Sequence, residues 1–172
     1  TYEHPHIGPW SRGGTTFDRT FMEGFVRPGI GHENWTSRTN YPALNVIQTG
    51  PAEMSFFVQR QYGQPGHHLA RYSVRLDGFA SLHAGYAGGE MVSKPFRFSG
   101  RSLEVNYATS AAGSLRFELQ DEAGRALPGY ALAESREIVG DEVARSVSWT
   151  GRTNVSALAG QIVRLRVALQ DA

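Results

Sequence analysis

From residue 71 onward, apolar and polar residues alternate in short runs separated by Gly-rich and Asp-rich turns. A strand that faces a core on one side buries every second residue, so this rhythm predicts an all-β fold of half-buried strands. Leu103-Glu104-Val105-Asn106-Tyr107, Leu115-Arg116-Phe117-Glu118-Leu119 and Val163-Arg164-Leu165-Arg166-Val167-Ala168-Leu169 each gather aliphatic or aromatic residues on one face. The intervening Thr109-Ser110-Ala111-Ala112-Gly113-Ser114 is short and flexible, and predicts a hairpin between the first two of these strands. Further strands are expected over residues 72–76, 79–84, 91–92, 96–98 and 144–149, with Val147 and Trp149 on one face and Trp149 in the core. One helical turn is expected at Val155-Ser156-Ala157-Leu158-Ala159-Gly160, capped by Asn154 and stopped by Gly160. Together these elements predict a β-sandwich.

The first seventy residues have a different texture. Pro5, Gly8, Pro9, Gly13, Gly14, Pro28, Gly29 and Gly31 divide them into pieces too short for a long helix. Ser11-Arg12-Gly13-Gly14-Thr15-Thr16-Phe17-Asp18-Arg19 reads as a turn that delivers an aromatic residue. Residues 41–47 and 54–58 read as two β-prone arms of a hairpin around Thr49-Gly50-Pro51-Ala52-Glu53. The Gly/Pro-containing stretch Gln61-Tyr62-Gly63-Gln64-Pro65-Gly66 then marks a boundary, dividing the chain into residues 1–66 and 67–172.

Composition narrows the classes. The 172 residues are 40% hydrophobic and 19% charged, ordinary values for a folded domain, and contain no apolar run long enough for a membrane-spanning helix. The formal net charge of +1 arises from interspersed signs, so neither nucleic acid nor an anionic membrane is an expected partner. Cysteine is absent, which removes disulfides and thiolate metal sites. The chain starts at Thr1 without a leader, and its last alternating run stops at Asp171-Ala172, so a mature form, a trimmed chain or a fragment is expected. An extracellular or periplasmic location is the favoured expectation.

Particular motifs then suggest a relationship. Arg71-Tyr72-Ser73-Val74-Arg75-Leu76-Asp77-Gly78-Phe79-Ala80-Ser81-Leu82-His83-Ala84-Gly85-Tyr86-Ala87-Gly88-Gly89-Glu90, with Lys94-Pro95-Phe96, Asn106-Tyr107-Ala108, Gln120-Asp121, Gly140-Asp141-Glu142 and Val147-Ser148-Trp149, resembles the C-terminal β-sandwich of largely uncharacterised bacterial proteins related to glycoside hydrolase families 32 and 43. The earlier Trp35, Arg38-Thr39-Asn40-Tyr41-Pro42 and Gln48-Thr49-Gly50-Pro51 resemble the last blade of the propeller that precedes such a sandwich. The resemblance implies a jelly-roll-like sandwich supporting a propeller, a carbohydrate partner, and contact with the remaining blades of a larger protein. In those proteins the catalytic acids come from earlier blades, so this chain by itself is expected to be non-catalytic. A carbohydrate-binding module and a purely structural sandwich are the competing expectations.

Candidate contact residues follow from the chemistry of sugars, which present hydroxyls to polar groups and an apolar ring face to aromatics. Asn40 and Tyr41 open the candidate inner strand of the blade, and Arg38 precedes them as a possible partner for an acidic group. Tyr86 sits among glycines that leave its ring open to a ligand or a neighbouring domain. Asp141 and Glu142, with Glu137 and Arg145 nearby, form the densest polar cluster of the second segment and could bind sugar hydroxyls. Their spacing matches no calcium loop. The pairs His4/His6 and His67/His68 lack the further ligands that zinc needs, so neither a metal nor a cofactor is expected.

Overall fold

A computed structural model describes residues 25–27, 29–31 and 40–172. Among the described residues the regular elements are antiparallel strands and two short 3-10 turns, the all-β class expected from the alternating pattern. The chain forms two compact units, Thr1–Phe79 and Ala80–Ala172.

In the first unit, the described sheet is built on the long strand β3, Glu53–Arg60. Strand β2, Ile47–Gly50, reaches β3 through the two-residue turn Pro51-Ala52; the hairpin expected there forms, with its first arm over residues 47–50 rather than 41–47 and a turn shorter than Thr49–Glu53. The other predicted arm is broken. Only β1, Tyr41–Pro42, pairs with the far end of β3, and Asn45 interrupts the run with a left-handed φ of 73°. Strand β4, His68–Arg75, covers the opposite edge of β3 in unbroken register from Glu53↔Arg75 to Arg60↔His68.

That pairing places the first strand after Gly66 in the first unit, and the units divide at Phe79/Ala80. The Gln61–His67 stretch is a hairpin loop. Gln61 and Gly63 take positive φ, and the Gln64 and His67 amides donate to the Gln61 and Gln64 carbonyls, which reverses the chain onto β3. On one face of the sheet Phe56 and Val58 are buried, with Phe56 stacked on Tyr72 and touched by Phe25, whose ring also meets Phe79. Residues 79–84, expected as a strand, contain none.

The second unit contains a three-stranded sheet in the order β5-β9-β7 (Gly89–Val92, Arg164–Gln170 and Ser114–Gln120) and a pair of β6 with β8 (Glu104–Ala108 and Asp141–Ser146). The alternation is expressed directly. Leu115, Phe117 and Leu119 of β7, Tyr107 of β6, Val167 of β9, and Val147 and Trp149 beyond β8 enter one core cluster. Trp149 is 1% exposed, and its indole N–H donates to the Phe117 carbonyl at 2.9 Å. The expected helical turn is a 3-10 turn, Ser156–Leu158. Asn154 Oδ1 accepts from the Ser156 amide, and Gly160 closes the segment with φ of 77°.

The hairpin expected between β6 and β7 does not form. The two strands belong to different sheets, and residues 109–113 carry the chain from one to the other. Ser110 donates its amide to the Asp171 carbonyl, and Gly113 passes so close to the end of β9 that a Cβ there would lie 2.3 Å from the Asp171 oxygen. The connection is therefore an arch across the end of β9. The pairing partners of β6 and β7, β8 and β9, are supplied from later in the chain.

Candidate functional site

The best-developed exposed constellation lies at the end of the first sheet where β1, β3 and β4 meet. Tyr41 stands opposite Gln59 on β3, which stands opposite Leu69 on β4. Directly opposed residues of antiparallel strands share a face, so ring, amide and aliphatic side chain form one row. The loop that returns β3 to β4 adds two more rings. Tyr62 meets Tyr41 edge to face, with centroids 5.1 Å apart and planes at 70°, and His67 meets Tyr62 at 5.6 Å and 79°. Tyr41 and Tyr62 are each 45% exposed, and Leu69 is 57% exposed. Asn40 anchors the entry to β1 by donating from Nδ2 to the Val26 carbonyl at 3.1 Å.

Of the residues expected to contact a ligand, the structure brings Asn40 and Tyr41 together, while Arg38 lies outside the described residues. Tyr86 is on the turn before β5, 73% exposed, and in the other compact unit. Asp141 and Glu142 open β8 and pair in register with Ala108 and Tyr107. The Tyr107 hydroxyl, donating to Val139 O and Glu142 Oε1, ties Glu142 to the sheet, and Arg145 lies 3.3 Å from the same carboxylate oxygen. Glu137 is drawn away to Arg116 at 2.6 Å. Burial, and then the neighbouring Glu142 carboxylate, raise the Tyr107 phenol above its ordinary value. Among the described residues, no three His, Cys, Asp or Glu converge to hold a metal.

Gln59, Tyr62 and Leu69 were not singled out by sequence as contact residues, and His67 was weighed only with His68 as a metal pair. Their juxtaposition depends on a hairpin register in which a Pro/Gly stretch reverses the chain. Two further aromatic-ring residues inside that stretch, Tyr62 and His67, were the available signal.

The second unit holds a different polar arrangement. Arg166 on β9 donates from Nε and Nη2 to both oxygens of Glu90 at 2.9 Å, and from Nη1 to Glu118 at 3.4 Å. Glu118 is buried on β7 and also accepts from Gln120 Nε2 at 2.7 Å and the Leu132 amide at 2.9 Å. Burial alone would raise its carboxyl, yet these donors together hold it below the usual carboxylate range. Glu90 beside the Arg166 guanidinium, Asp121 on the Arg125 amide, and Glu137 on Arg116 are lowered as well. These four carboxylates favour the ionised form.

No family model, curated protein or solved structure matches this chain.

Proposed function

We propose that this chain is a non-catalytic part of a sugar-processing protein, a last propeller blade that contacts glycan followed by a supporting β-sandwich. The observation that carries this reading is the exposed Tyr41, Tyr62 and His67 cluster beside the Gln59 amide. A sugar ring needs an aromatic face for its C–H surface and a nearby amide for its hydroxyls, and this corner offers both. The described sheet of the first unit is antiparallel like a blade's and three strands across, with β1 and β2 sharing one edge of β3 and β4 on the other, and the shared core of the second unit supports the sandwich reading. The carboxylates held ionised by arginine and amide donors support a structural role for that unit.

The test is a glycan array followed by titration of the intact chain against plant, algal and fructan polysaccharides. Binding at about 1 mM or tighter is expected, weakened by Tyr41→Ala and unaffected by Tyr86→Ala. Absence of binding across the array overturns the reading. The chain alone is expected to release no aglycone from aryl glycosides, and turnover that survives purification would contradict the non-catalytic assignment.

A further inference from the structure

Resting on that reading, we infer that the Tyr41, Tyr62 and His67 corner takes one sugar ring at a time from a soluble oligosaccharide or a chain end, and does not adhere to a flat insoluble polysaccharide. Adhesion to an ordered glycan surface needs several aromatic faces in one plane, each under a different sugar of the chain. The rings here are steeply crossed, at 70° between Tyr41 and Tyr62 and 79° between Tyr62 and His67. Their centroids are 5.1 and 5.6 Å apart, so each ring spends an edge or a face on its neighbour. Rings crossed this steeply share no plane, so adjacent sugars of a chain cannot stack on both tyrosines as on one flat platform.

The rest of the row agrees with a small ligand. Gln59 is the one amide between Tyr41 and Leu69, with donor and acceptor on the same group, suited to a vicinal pair of hydroxyls. On the same face, the next position of β4 is Arg71, whose guanidinium is engaged by Glu53 at 3.0 Å. This favours an uncharged sugar over a uronic acid. The hairpin loop that places Tyr62 and His67 is fastened by amides of Gln64 and His67, so the corner is formed before a ligand arrives.

The experiment uses the intact chain with oligosaccharides of one to six units drawn from the polysaccharide it binds on the array, alongside adsorption to microcrystalline cellulose and to chitin. Affinity is expected to stay within about threefold from the disaccharide to the hexasaccharide, with no adsorption to either solid. Tyr41→Ala and Tyr62→Ala should each weaken oligosaccharide binding about tenfold, while Tyr86→Ala in the other unit keeps it within about threefold, and an unchanged cooperative thermal transition of each variant serves as the folding control. Affinity that climbs steadily with chain length, or retention on the solids that depends on Tyr41, overturns the single-ring inference and leaves glycan binding itself standing. Silence on the array overturns the underlying reading and this inference with it.

Discussion

Glu118 shows how one residue can be decided by its surroundings. The alternating pattern assigns it to the polar face of β7, yet it is 6% exposed. It remains charged because three donors converge on it, from Gln120, Leu132 and Arg166. Replacing it with alanine strips those donors, and urea unfolding should show a loss of about 1–3 kcal/mol. The pH dependence has a definite sign. The folded carboxyl is held below its ordinary value of about 4.5, so its contribution is complete above that value and is lost as pH falls through the lower folded value. Glu118→Gln should flatten the acid limb of a stability-versus-pH curve. Tyr107 acts at the other extreme. Its raised phenol stabilises the fold fully below about 10, and that contribution disappears as pH rises from there toward the folded value, a loss that Tyr107→Phe should abolish.

At the scale of elements, β7 and β9 were legible because Leu115, Phe117, Leu119, Val167 and Leu169 keep a strict period of two, and each reaches or packs against the core. Their neighbours were not legible. A short Gly-containing connection predicts a hairpin whenever its two strands can pair with each other, but β9 occupies one edge of β7, and β6 takes β8. Gly113 is the mark of this choice. A Cβ at this position would lie 2.3 Å from the Asp171 carbonyl oxygen and 2.6 Å from the Gln170 carbonyl oxygen, both backbone atoms that cannot swing aside. Gly113→Ala should therefore cost about 1–3 kcal/mol in urea unfolding, whereas Gly100→Ala, which a Cβ would leave in open space, meets only the strain of its positive φ.

For the whole molecule, the division into units is itself testable. Residues 80–172 contain the β5-β9-β7 sheet, the β6-β8 pair and a core centred on Val147, Trp149 and Val163, none more than 1% exposed. Expressed alone they should give a dispersed amide spectrum and a cooperative thermal transition. Residues 67–172 add β4 without β3, an eight-residue strand with its ladder partner removed. That longer piece should aggregate at concentrations where residues 80–172 stay monomeric in light scattering. Equal behaviour of the two would contradict the pairing of β4 with the first unit. By itself the sequence determined the all-β class, the core faces of β6, β7 and β9, a chain reversal within residues 49–53 and the burial of Trp149. These follow from side-chain period and local backbone preference, which act over a few residues. Only the tertiary structure decided which strands pair, that the Gly66 region is a hairpin loop, and that Tyr41 meets Tyr62 and His67 at one corner. Those outcomes depend on long-range competition for strand edges, where a ladder is won by whichever segment arrives with complementary register and buried area.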